Sequence, residues 1–238
     1  MSPLVTHAAA PECPRCAASR SFCPLPDDLR VVLERLKTTL AFQKGDVVFN
    51  ESDPCHGVFV VCRGSLKLVT SSSEGRILLL RFAHPGEILG VAESLRGGAP
   101  YQCSAIAAES AVLAMIPHDT FLRFLASYPD LCVRIATVLS EQYKTAQRET
   151  RFLAFGETST ARLARLLLDW SVERGRQTED GVHIPSRVTH TDLAQSIGST
   201  RETVTRILGD LNHRGIVERT ADEIVIHRPQ ELAELGSF

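Results

Sequence analysis

The chain has 238 residues, 44% of them hydrophobic, and 26 Lys plus Arg against 28 Asp plus Glu for a formal net charge of −2. That suits one large or two modest globular domains with real hydrophobic cores. No apolar run approaches the roughly 18 residues of a membrane span, and the first residues lack the basic start and apolar stretch of a signal peptide, so the expectation is a cytoplasmic protein with no membrane partner. Between Arg148 and Arg228, 12 Arg stand against 12 Asp plus Glu, so any contact with nucleic acid has to rest on a local face rather than on a basic tail.

Residues 1–26 are rich in Ala, Pro, Ser and Cys with no helical or strand period, and read as an extension. The stretch APECPRCAASRSFC holds Cys13, Cys16 and Cys23 in a C-x2-C-x6-C spacing. Seven cysteines without a secretion signal argue for buried, reactive or metal-bound thiols rather than a disulfide framework. Three thiolates this close in sequence can converge on one soft metal centre, and an iron–sulfur cluster is usually held by four. Cys55, Cys62 and Cys103 are available for a fourth. An iron–sulfur (4Fe-4S) centre, a zinc site and redox thiols are the open readings of this triad. Cys62 and Cys132 are also expected as small core hydrophobes.

From about Val47 to Ile116, VFVVCRGSLKLV, ILLLRF, EILGVAESL, CSAIAA and AVLAMI are short aliphatic and β-branched runs separated by Gly, Pro, Ser and Asp. They predict a compact antiparallel barrel or sandwich. After Tyr128-Pro129, Leu131, Ile135, Val138, Leu139 and Gln142 recur at helical spacing, and the period continues through Thr145 and Glu149 to Phe152. A helix of about 25 residues predicts a coiled dimer seam, with a buried core helix as the alternative. TARLARLLLDW opens a further helical unit, and GVHIP supplies a short strand or turn.

The segment VTHTDLAQSIGSTRETVTRILGDLNHRGIVERTADEIVIH carries the sharpest signal. Thr189 with Asp192 makes a capping-box-like start, Gly198 a helix stop, and Thr200 the cap of the next helix. At 100° per residue, Arg201, Glu202, Thr205 and Arg206 spread over about 140° of one face, while Val204, Ile207, Leu208 and Leu211 take the other. A helix-turn-helix needs this division, because its second helix lies in the major groove of double-stranded DNA with its first turns at base edges. Arginine bonds guanine O6 and N7 in a bidentate way, and glutamate accepts from cytosine N4. The trailing GIVERTADEIVIH reads as a wing hairpin. No His-x-His pair for a cupin iron site, glycine-rich phosphate loop or zinc-protease motif is present, so no enzyme is expected.

RETVTRILGDL and TDLAQSIG resemble the recognition motif of the Crp/Fnr superfamily of transcription regulators. The resemblance extends to KGD at Lys44 to Asp46, PGEILG at Pro85 to Gly90, the long helix ending in FLAF, and TARLARLLL. It implies an α+β architecture: an extension over 1–26, a cyclic-nucleotide-binding-like antiparallel β-roll over 27–126, a dimerisation helix over 127–155 and a winged helix-turn-helix over 156–238. It also implies a homodimer that binds DNA and meets RNA polymerase. Arg201, Glu202 and Arg206 match the base-reading positions of the cyclic-AMP receptor branch, implying TGTGA-like half-sites in an inverted repeat.

Two departures bear on the signal. Nucleotide-binding members place a glutamate after the glycine of PGEILG and an Arg-Ser pair soon after; here Val91 follows Gly90, and Tyr101 and Gln102 stand at the pair. A cyclic phosphate without that arginine loses its bidentate partner, which argues against cyclic AMP. The cysteine triad resembles that of the oxygen-regulator branch, but the position of that branch's fourth ligand is Ala114 here, so Cys103, in the same late β-roll region, is the expected substitute. A cluster in the extension would brace the β-roll against the dimer helix. Its loss to oxygen or nitric oxide would then loosen a seam already weakened by Gln142, Thr145 and Glu149. A β-roll regulator governed by a small molecule, with structural or zinc-bound cysteines, is the alternative.

Overall fold

The computed structural model describes residues 26–75, 77–154, 158–186, 188–220 and 222–236; Cys13, Cys16 and Cys23 lie outside them, as do the side chains of Thr145 and Glu149. The chain forms two compact units, one holding most of the β-roll and the long helix through Gln147, the other Gly75–Leu79 and the chain from Arg148 onward.

The first unit runs α1 (Asp27–Leu36), β1 (Thr38–Phe42), β2 (Val47–Phe49), β3 (Gly57–Arg63), β4 (Leu66–Ser71), β5 (Ile77–Ala83), β6 (Ile88–Leu89), α2 (Val91–Leu95), β7 (Ser104–Ala107), β8 (Ala111–Pro117), α3 (His118–Ser127) and α4 (Pro129–Ala154). Its strands make two four-stranded sheets, ordered β1-β8-β3-β6 and β2-β7-β4-β5. The long antiparallel pairing of β3 with β8 sets Val58 opposite Ile116 and Val60 opposite Ala114, all four buried. Gly57 is required in this register, since a Cβ there would lie 2.2 Å from the Ile116 carbonyl oxygen.

Three sequence expectations change here. EILGVAESL is not one strand: Gly90 takes a left-handed φ of 78°, and Val91 and Ser94, three apart, turn inward as one face of the short α2. The strands begin earlier than Val47, with β1, inside the 27–126 bounds that the resemblance gives the roll. The third change concerns α4. Leu131, Ile135 and Val138 do not form a seam for a second chain; they are buried in the roll's own cluster with Leu29, Leu33, Val58, Ile116, Phe121 and Phe124. The helical period records intramolecular packing over the first three turns, because a stripe facing a sheet and a stripe facing another helix have the same spacing.

The second unit contains α5 (Ser159–Arg174), β9 (Arg176–Gln177), β10 (Val182–Pro185), α6 (His190–Ser196), α7 (Arg201–His213), β11 (Val217–Arg219), β12 (Glu223–Ile226) and α8 (Pro229–Leu235). Its sheet has the order β11-β12-β10-β9. Leu163, Leu167, Ile184, Leu193, Val204, Leu211 and Ile224 are buried within it. Among the described residues no helix is long and apolar enough to cross a membrane.

Candidate nucleic-acid interface

The α6–α7 pair is built by local hydrogen bonds that the sequence announces. Thr189 accepts from the Asp192 backbone N–H at 3.1 Å, and the Asp192 carboxylate accepts from the Thr189 N–H at 2.9 Å, a complete capping box. Gly198 closes the turn at φ 60°, and Ser199 N–H bonds back to the Ala194 carbonyl at 2.8 Å. Thr200 then caps α7 by accepting from Thr203 N–H at 3.2 Å. The turn is also held from α5: Arg162 Nε donates to the Ile197 carbonyl at 2.8 Å, and Ser159 Oγ lies 3.2 Å from Ser199 Oγ.

The faces of α7 divide as the periodicity predicts. Val204, Ile207, Leu208 and Leu211 are buried, whereas Arg201, Glu202, Thr205 and Arg206 are exposed. Among the described residues, the side chains of Arg201, Glu202 and Arg206 are engaged in no internal hydrogen bond or ion pair. Two cations and a carboxylate thus stand on one helix with their hydrogen-bonding capacity available to a ligand. Thr200 and Thr205 differ. The Thr200 hydroxyl is occupied by its cap, and Thr205 Oγ1 donates to the Arg201 carbonyl at 2.9 Å while lying 2.8 Å from His190 Nδ1. His190 was not singled out from sequence; the contact with Thr205 spans fifteen residues and two helices.

At the roll positions tied to cyclic-nucleotide binding, Val91 is 3% exposed in the apolar cluster and brings no carboxylate. Tyr101 is 2% exposed, stacks on Phe49 with ring centroids 4.0 Å apart, and donates its hydroxyl to the Gly57 carbonyl at 2.9 Å. Burial, followed by the neighbouring Cys55, pushes its phenol well above the ordinary range. Gln102 is exposed and donates to the Pro100 carbonyl.

Among the described residues no three His, Cys, Asp or Glu side chains converge as a metal site. Cys103 is partly buried. Burial and the nearby Glu93 push its thiol up to about 11. It also packs with the Phe42, Phe49 and Tyr101 cluster, not with the one that α1 joins. Cys62 is the cysteine packed against the α1 cluster.

A β-roll followed in sequence by a long helix and by a winged helix with Arg201, Glu202 and Arg206 exposed on the second helix of its helix-turn-helix is the build of a DNA-binding transcription regulator. The chain matches the cyclic nucleotide-binding domain over residues 39–128 and the Crp-like helix-turn-helix domain over residues 161–235. It is 27% identical over 213 residues to the Global nitrogen regulator of Synechocystis sp., covering 87% of this chain and 94% of that one. To the Anaerobic regulatory protein of Pasteurella multocida it is 26% identical over 230 residues, covering 94% and 82%. The structure of FixK2 from Bradyrhizobium japonicum has the same fold, with a TM-score of 0.73 at 20% identity over 85% of this chain and 98% of that one. The chain belongs to the Crp/Fnr superfamily of transcription regulators.

Proposed function

We propose that the chain acts as a homodimer that reads TGTGA-like half-sites, arranged as an inverted repeat, through Arg201, Glu202 and Arg206. The observation that carries this reading is the pair of faces on α7, one fully packed and the other holding three charged side chains with no internal partner. The two arginines suit guanine edges and the glutamate a cytosine amino group. Thr205, its hydroxyl hydrogen already given to the Arg201 carbonyl, shapes the reader rather than donating to DNA, while Thr200 accepts from the Thr203 N–H and holds the start of α7. Selection of duplexes from a random pool, followed by anisotropy titration at fixed salt, tests the reading. Enrichment of paired TGTGA-like half-sites supports it, and enrichment of unpaired or unrelated sites overturns it.

The dimer surface we assign is the side of α4 turned away from the roll, where Val133, Ala136, Thr137, Ser140 and Tyr143 are exposed at helical spacing. Val133 is 71% exposed despite its apolar side chain. Two copies joined there would place two readers on one two-fold axis, as an inverted repeat demands. RNA polymerase is the partner proposed for the DNA-bound dimer, since the relatives are transcription regulators.

For the signal, the filled positions at Val91 and Tyr101 favour an effector other than cyclic AMP. The N-terminal triad Cys13, Cys16 and Cys23 is the proposed redox or gas sensor, and the likeness to an Anaerobic regulatory protein over 94% of the chain supports that direction. Cys62, packed against the cluster that α1 joins, is the proposed fourth thiol in place of Cys103. Iron and sulfide assays on protein purified without oxygen test the proposal. Stoichiometric iron and sulfide lost in air support it, and a metal-free protein after attempted reconstitution overturns it.

A further inference from the structure

His190, the first residue of α6, lies outside the base-reading face yet touches two other elements. The Thr205 hydroxyl donates to the Arg201 carbonyl at 2.9 Å, which uses its single hydrogen. The 2.8 Å contact from His190 Nδ1 to the same oxygen therefore needs a hydrogen on Nδ1. Across the ring, Arg219 Nη1 of β11 lies 3.3 Å from Nε2. A guanidinium only donates, so Nε2 must present its lone pair. Both contacts demand the same species, a neutral imidazole protonated on Nδ1. Arg219 also donates from Nη2 to the Val188 carbonyl at 2.6 Å, fastening β11 to the chain just before α6.

We propose that neutral His190 is a positioning residue for DNA reading: through Arg219 on one side and Thr205 on the other, it locks the wing strand to the first turns of the recognition helix. Thr205 sits on the same face of α7 as Arg201 and Arg206. The lock thereby fixes the helix surface from which both readers leave. Among the described residues the charged groups facing the ring are Arg219 from β11 and Arg201 from α7, both cations. Burial first, and then these charges, hold the imidazole below its ordinary range. A second proton would set an N–H against the Arg219 N–H and open the lock. Its contribution to affinity is therefore present above the depressed pKa and lost as pH falls through it.

The inference rests on the DNA-reading assignment, so its test begins without DNA. Long-range proton–nitrogen correlation on the full-length protein reads the His190 tautomer directly. The expected result is Nδ1–H at about pH 8; an Nε2–H tautomer, or an imidazolium at that pH, overturns the proposal. Operator affinity is then measured at constant ionic strength for the wild type, His190→Ala and His190→Gln. At about pH 8 the wild type should bind about fivefold more tightly than His190→Ala, with the advantage shrinking as the pH is lowered through the depressed pKa of the ring. His190→Gln should bind without that relative loss in acid. Parallel pH profiles for all three proteins, or a wild type that gains on His190→Ala in acid, overturn it; the latter would make the imidazolium a phosphate ligand. Failure of the wild type to bind any duplex would instead sink the DNA-reading assignment and leave the tautomer result standing.

Discussion

Arg206 and Arg201 are alike in sequence but differ in setting: Arg201 lends its carbonyl to Thr205 and its charge to the surroundings of His190, whereas Arg206 takes no part in that relay. Arg206→Ala is thus the cleaner test of base reading. It should cost about 1–3 kcal/mol of operator affinity and relax selectivity at one position of each half-site, as competition with single-base variants would show. A second residue-scale consequence lies on the wing sheet, where His183 stands between Asp180 at 3.1 Å and Glu223 at 3.2 Å. The hydrogen bond to Asp180, and then that to Glu223, raise the His183 pKa above its ordinary 6.5, while bonds from Thr178 and His183 lower Asp180 from 3.8 to about 2. A raised histidine stabilises below its unfolded pKa and stops doing so as pH climbs through the folded one. A lowered carboxylate stabilises above its unfolded pKa and fails as pH drops through the folded one. Both contributions are present together between about pH 4 and pH 6.5. Thermal unfolding across pH should show the gap between wild type and Asp180→Asn widest in that window and narrower on both sides.

At the scale of the element, the turn between α6 and α7 depends on one backbone conformation. A Cβ at Gly198 would meet nothing within 4 Å, so the requirement is the positive φ alone. Gly198→Ala should cost about 1–2 kcal/mol, seen as a lower melting temperature for the C-terminal unit. The long helix makes a different prediction. Val133→Glu adds charge to the exposed side of α4 and leaves Leu131, Ile135 and Val138 in their core, so sedimentation should report monomers that retain the wild-type fold. These two elements mark what could be learned from sequence. The turn was legible because caps and glycine stops are local chemistry: Thr189, Asp192, Gly198 and Thr200 each act on neighbours within four residues. The side of α4 that packs was not, since periodicity gives the spacing of an apolar stripe and not what covers it. His190 was missed for the same reason, its partners Thr205 and Arg219 being 15 and 29 residues away.

For the whole molecule, the near-neutral charge means that DNA attraction comes from a small cationic area and not from a global field. The architecture divides the work: the roll has apolar and aromatic side chains where Val91 and Tyr101 stand, and the C-terminal unit carries the exposed charges of α7. The clasp from Arg162 to the Ile197 carbonyl places part of the reader's support more than thirty residues upstream of the helix that reads. A free-standing DNA-binding fragment therefore has a start point set by chemistry. One beginning at Thr158 keeps the α5 cap, Ser159 and Arg162, and should bind a half-site as the same region does in the intact chain. One beginning at Leu163 omits the clasp and should fold less stably and bind more weakly in the same titration. Whoever divides this protein for use as a portable reader has to carry along a stretch that touches no base.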